Sequence, residues 1–327
     1  MRAELRPSSL GEILDRTAQM YRSHFMLYFG IAGISYAGVL ALSLLLDALF
    51  YPFMHTSPHA YAGIRVVVGA TIGLFAILPV AIAMAAVMHA VARNYLGQPS
   101  TIREAYAHIR GHWYRYILIL LAMYVYSLVP LGALMGIVVA AATLVPTGLA
   151  RVAVIGLAII LMLAGIVVAF WWMLRWALSV PASLMEDLTV HRALKRSSAL
   201  TKGGIGRIFV MLLLVGVVMM MIQYAIQIPT FILLLKSRGA ITLTTQIITS
   251  LGSSFSGAFV LPIYSIALTL FYYDQRIRRE GYDVEWLMEQ AGMRQDGTSP
   301  DADLPALPGS LTPQAEPPGT GNLGPAL

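Results

Sequence analysis

The chain has 327 residues, 58% of them hydrophobic and only 12% charged, with a mean hydropathy of +0.72. A soluble domain carries about 25% charged residues, so this composition excludes a soluble fold. The formal net charge is +6 and cysteine is absent, which excludes disulfides, thiolate metal sites and a cysteine nucleophile.

Residues 1–24 are polar and amphipathic, and the apolar run after them is too long for the core of a cleavable signal, so the first span reads as an uncleaved anchor. Ser9 and Glu12 form an S/T-x-x-E capping box that predicts a helix start. Leu10, Ile13, Leu14, Thr17, Tyr21 and Phe25 follow at helical spacing, with Glu12, Asp15, Arg16, Gln19 and Arg22 opposite. Such a helix is expected in the membrane interface, its apolar side toward acyl chains or the bundle.

Two apolar runs come next, Phe25–Phe53 and Val66–Val91, joined by an external loop over Tyr51–Ile64. Asp47 lies near the outer end of the first and Arg65 at the start of the second. They read as an ion pair across the hairpin in preference to a substrate or ion contact, both being within reach of the interface. His55 and His59 fall in the loop, and His89 lies about a turn from the inner end of the second run, facing the bundle.

Thr101 and Glu104 make a second capping box. Glu104, His108 and His112 share a helical stripe, but the segment is not HExxH and has no carboxylate between the histidines, so it reads as solvated or headgroup-facing. The runs Ile117–Leu144 and Val152–Leu174 follow. Gly132 and Gly136 in the first suit close helix contact, and Trp171, Trp172, Arg175 and Trp176 close the second as an interfacial belt.

A third, more basic segment starts at Thr189 and ends at Gly203-Gly204, a C-cap signal. The last runs are Ile208–Leu235 and Ile247–Tyr273. Gln223 and Gln227, at i and i+4, and Pro229 interrupt the first; interhelical hydrogen bonding is favoured there over a permeation or ligand site. Ser250, Ser253, Ser254, Ser256 and Gly257 suit close packing in the second. A short helix is expected at Val284–Met293, and the Pro- and Gly-rich residues 294–327 are expected to be disordered.

Each run reaches the ~20 residues needed to cross a bilayer, where only helices satisfy the backbone internally. The expected fold is therefore an all-α integral membrane protein with six transmembrane helices. The caps Ser9, Thr101 and Thr189 are 92 and 88 residues apart, which predicts three repeats, about 9–100, 101–188 and 189–293, each an amphipathic helix followed by a helical hairpin. Of the 22 Lys and Arg, 18 fall on one side and only Arg65, Arg151, Lys236 and Arg238 on the other, so both termini are expected in the cytoplasm. The basic residues are spread over four juxtamembrane segments, which points to anionic lipid headgroups and away from nucleic acid, at about 1 kcal/mol for each residue near the surface.

Two stretches resemble a known family. Near the start stands Leu5-Arg6-Pro7-Ser8-Ser9-Leu10-Gly11-Glu12-Ile13-Leu14-Asp15-Arg16, then Tyr21-Arg22. Later come Arg175-Trp176-Ala177-Leu178-Ser179-Val180-Pro181, Ala193-Leu194-Lys195-Arg196-Ser197 and Leu200-Thr201-Lys202-Gly203, with Arg276-Ile277-Arg278-Arg279-Glu280-Gly281-Tyr282-Asp283 at the close. Over most of residues 5–290 the chain resembles the bacterial family named after the membrane domain of glycerophosphoryl diester phosphodiesterases. The resemblance implies a six-helix membrane module. In the enzymes that lend the name the chemistry resides in a separate soluble barrel, and no segment here is long and polar enough to be one.

The residues show no Gly-rich phosphate loop, no Ser-His-Asp set and no paired carboxylates, so no cofactor or catalytic role is expected. The first functional reading is a non-enzymatic module organising lipid or a membrane or cytoplasmic protein partner at the cytoplasmic face. The second is a small transporter or channel with a polar path near Asp47, Gln223 and Gln227. The third is a lipid-modifying enzyme using Glu104, His108 and His112.

Overall fold

A computed structural model describes residues 7–54, 58–144, 148–236 and 242–281. These residues form α1 (Leu10–Ser23), α2 (Phe25–Met54), α3 (Pro58–Tyr95), α4 (Ile102–Ile109), α5 (Trp113–Leu144), α6 (Leu149–Trp176), α7 (Ser179–Met185), α8 (Val190–Thr201), α9 (Ile205–Lys236) and α10 (Leu243–Glu280), and no strand occurs among them. Six of the helices, α2, α3, α5, α6, α9 and α10, are long and apolar enough to cross a membrane. The all-α, six-span reading therefore holds. His55, residues 294–327 and the helix expected at Val284–Met293 lie outside the described residues, as do the side chains of His59 and Arg65.

Short helices start where the caps predict. Ser9 Oγ accepts from the Glu12 N–H at 3.2 Å while Glu12 Oε2 accepts from the Ser9 N–H at 2.8 Å. Thr101 and Glu104 exchange the same pair of bonds at 3.3 and 3.1 Å. Thr189 occupies the N-cap of α8 without a side-chain bond, and Arg192 at the third helical position has no side-chain acceptor for the reciprocal half of a capping box. After α8, Gly203 takes φ +77°, a left-handed conformation open to glycine without strain.

Two expectations need correction. The external loop expected over Tyr51–Ile64 is mostly helix: α2 runs on to Met54 and α3 begins at Pro58, leaving residues 55–57 between them. Pro58 suits a first helical position because the N–H it lacks would have no partner there. Gly132 and Gly136 were expected at a close helix contact, yet a Cβ at either would meet nothing within 4 Å. Gly257, also expected at a close contact, does make one, since a Cβ there would overlap the Tyr36 ring, and a Cβ on Gly30 would come 2.8 Å from Ile102 Cδ1. Short α7 was not predicted, because seven residues cannot display a helical period.

The centre of the fold is α10. Its most apolar stretch is 67% buried, against 22% or less in the other five long helices, and it has the lowest mean hydropathy of the six, 1.7. The most apolar helix, α6 at 3.0, is among the most exposed. This is the ordering a bilayer imposes: lipid-facing helices must be apolar, while the enclosed helix can carry Ser, Thr, Gln and Asp that hydrogen-bond to neighbours. Large apolar side chains such as Leu149, Val152 and Val167 on α6 and Met221, Tyr224 and Phe231 on α9 stand 63–86% exposed. In water such a surface would drive aggregation; here it is the hydrocarbon-facing belt.

Helix α9 runs antiparallel to α10, with Arg207 beside Asp274 at one end and Gln227 beside Ser253 toward the other. Helix α1 also lies antiparallel along α10, from Ser8 at Asp274 to Tyr21, whose hydroxyl donates to the Phe259 carbonyl at 3.0 Å. Its Ile13, Thr17 and Tyr21 are buried. Helix α4 docks on α2, where the Tyr106 hydroxyl donates to the Ile31 carbonyl at 2.7 Å and meets Ser35 Oγ at 3.1 Å.

Candidate functional site

The charged residues gather at the end of the bundle that carries the short helices, and most are committed to one another. Asp274, 3% exposed, is one hub. Its carboxylate accepts from the Ser8 N–H at 2.8 Å, from Arg278 Nε at 3.0 and 3.1 Å, and pairs with Arg207 Nη2 at 3.1 Å. Both guanidinium groups also donate to the Ser8 carbonyl. The segment before α1, the start of α9 and the end of α10 thus converge on one buried carboxylate.

Glu186, at the end of α7, is the second hub. It accepts from Arg196 Nε at 2.7 and 2.9 Å and from the Tyr272 hydroxyl at 2.6 Å. Arg196 also pairs with Glu280 at 2.6 Å, and Glu280 with Arg276. The hydrogen bond to Glu280, then Glu186, raises the Arg196 pKa and keeps it charged. Nearby, Ser197 Oγ donates to the Arg175 carbonyl at 2.7 Å and accepts from the Leu178 N–H at 3.1 Å, tying α8 to the joint between α6 and α7. Arg115 holds Asp187 at 2.6 Å, and Arg175 lies over the Trp171 ring at 4.6 Å. Arg175, Leu178, Arg196, Ser197, Arg276, Arg278 and Glu280 are therefore all parts of this fastening.

Six cations are left over. Arg22, Arg103, Arg110, Arg192, Lys195 and Lys202 are exposed, and their side chains have no ion pair among the described residues. All six lie on α1, α4 and α8 or one residue beyond them.

The intramembrane candidates fall into a different pattern. Asp47, 2% exposed, accepts from Ser250 Oγ at 3.0 Å. Gln227 Nε2 donates to Ser253 Oγ at 3.2 Å, and Gln223 Oε1 accepts from the Ser256 hydroxyl. The structure thus brings Asp47, Gln223 and Gln227 to one polar seam on α10, approached from α2 on one side and α9 on the other. Its serines recur at i, i+3 and i+6, so they share a helix face. Arg65 lies on α3.

His89 is half-buried and stacks on the His108 ring, with centroids 4.0 Å apart and planes 15° from parallel. The pair clips α4 onto α3, beside Arg93 and Glu104 at 3.4 Å. Glu104 is engaged by its capping box and by Arg93, and no group of three or more His, Cys, Asp or Glu that could hold a metal occurs among the described residues. Glu104, His108 and His112 are not brought together as a ligand set.

Sequence reasoning missed Asp274 and Glu186, and it marked Gly257 for close packing without its partner Tyr36. Ser8 and Asp274 are 266 residues apart, so no local spacing signals the hub. One hint was available: Asp274 stands between an apolar run and the basic Arg276, Arg278 and Arg279, where an unpaired carboxylate would be hard to place. No protein-family model matches the chain, and neither does any curated protein or solved structure.

Proposed function

We propose that the chain is a non-enzymatic, multi-pass module of the bacterial cytoplasmic membrane, with both termini inside, that gathers anionic lipid headgroups around its short helices. The observation that carries this reading is the division of the charges at that end. One set is held by ion pairs, hydrogen bonds or ring contacts that fasten the helices, and six other cations are exposed on α1, α4 and α8 or just past them. A cation near an anionic bilayer surface is attracted by about 1 kcal/mol, so six act together without any enclosed site.

The helix order, short-long-long three times over with α7 as an extra turn, supports three repeats of a shared unit within residues 1–293. The resemblance to the phosphodiesterase membrane-domain family supports the same kind of module, since the residues that carry it serve here as fastenings. A transport path is the second reading, favoured by the alignment of Asp47, Gln223 and Gln227 along α10.

Phospholipid that copurifies with the full chain in a mild nonionic detergent tests the first reading. The retained lipid is expected to be enriched in phosphatidylglycerol and cardiolipin over phosphatidylethanolamine relative to the source membrane. Changing Arg103, Arg110, Arg192, Lys195 and Lys202 to Gln removes most of that enrichment. Retained lipid with the bulk composition, unchanged in the five-fold variant, overturns the proposal.

A further inference from the structure

We propose that a cleft between α1, α9 and α10 seats an acyl chain of one anionic phospholipid, with Arg22 holding its headgroup; this inference rests on the membrane reading above. The cleft has a volume of about 580 Å³, within the range of small-molecule sites. Leu14 and Ala18 of α1, Val215 and Val218 of α9, and Phe259 and Ile263 of α10 form its walls. The polar groups on its lining are already engaged, apart from one. Tyr21 donates its hydroxyl to the Phe259 carbonyl and Thr17 donates to the Ile13 carbonyl at 2.7 Å. Arg22 is the one charged side chain on the lining, exposed and with no ion pair among the described residues.

Three points select the occupant. The α9 wall carries Val217 and Met221, 48% and 67% exposed, next to Val218 and Ile222 of the cleft, so the cleft belongs to the hydrocarbon-facing surface and acyl chains are what surrounds it. A helix of 10 Å diameter fills about 400 Å³ per turn, so the space takes little more than one turn of a partner helix but accommodates a flexible chain. The single guanidinium supplies the charge complement: it donates several hydrogen bonds in a fork that matches a phosphate diester. A zwitterionic lipid offers the same phosphate but no net charge, so selectivity for net negative headgroups is part of the proposal.

Native mass spectrometry of the delipidated full chain, titrated separately with dioleoyl phosphatidylglycerol and dioleoyl phosphatidylcholine, tests it. One phosphatidylglycerol is expected to bind more tightly than any that follow, and more tightly than phosphatidylcholine. Arg22→Gln weakens that first site about tenfold, the loss of one charge-assisted contact, while Arg22→Lys retains most of it. Val218→Trp, which fills the cleft from its exposed rim, abolishes the first site, with helix content by circular dichroism unchanged. The five-fold variant of α4 and α8 keeps the first site and loses the weaker ones. First-site affinity unaltered by both Arg22→Gln and Val218→Trp overturns the cleft assignment and leaves the broader lipid reading standing. Equal binding of the two lipids at every stoichiometry overturns both.

Discussion

Replacing Asp274 with alanine is expected to lower the stability of the protein by about 3 kcal/mol, the cost typical of removing one partner from a buried charge cluster. The carboxylate is 3% exposed and takes hydrogen bonds from a backbone N–H and from Arg278, with Arg207 paired beside it. Without it the Ser8 N–H loses its acceptor and two guanidinium groups face each other across the Ser8 carbonyl. Arg207 and Arg278 are about one-third exposed and can turn toward water, so the loss falls mainly on the docking of α1. Unfolding titrated with an anionic detergent measures the stability, and limited trypsin digestion at Arg16 and Arg22 reports α1 specifically. Both are expected to change in Asp274→Ala and to change less in Asp274→Asn, which keeps an acceptor oxygen. A variant as stable and as protease-resistant as the parent would remove Asp274 from its place as the hub.

Gly257→Ala is the second large effect expected, and its sign is informative. Alanine in a helix interior is normally better than glycine by about 1 kcal/mol, so a simple propensity argument predicts stabilisation. In this structure the new Cβ would overlap three atoms of the Tyr36 ring, a rigid group that cannot yield by rotating a flexible end. Forcing α2 away from α10 should cost about 2 kcal/mol, typical of overpacking in a close-packed interior. Tyr36→Ala in the Gly257→Ala background is expected to recover part of the loss. The cycle of single and double variants should give a coupling of about 1 kcal/mol or more. Neutral behaviour of Gly257→Ala would mean that α2 and α10 are not held together by this contact.

The contrast between glycines illustrates how much the sequence reveals. Gly132 and Gly136 have the spacing associated with helix contact, and yet nothing approaches them; Gly257, marked with the small serines of its own helix, is the one pressed against a ring. Spacing reports which residues share a face, not what the face meets. The spans and caps were legible because hydrocarbon thickness and orphan N–H groups act locally. The internal polar pairs were half legible: Gln223 and Gln227 stood out within an apolar run, but Ser256 and Ser253 as their partners follow only from the antiparallel register of α9 on α10. Arg93, Arg115, Arg196 and Arg207 look like Arg103 and Arg192 in the sequence. What divides them is the carboxylates that folding brings to the first group. The candidate lipid surface is the remainder after that division, which no count of basic residues yields.

The proposed module requires the seam along α10 to be packed and dry, with the cations of the short helices facing the cytoplasmic solution. Because the chain has no cysteine, single cysteines at Asp47, Gln223, Gln227, Arg103 and Arg192 can be labelled with a membrane-impermeant thiol reagent, from each side of the membrane in turn. Labelling is expected at Arg103 and Arg192 from the cytoplasmic side alone, with protection of Asp47, Gln223 and Gln227 from both sides. Labelling of the seam positions would reveal water within the bundle and contradict it, placing transport ahead of lipid organisation.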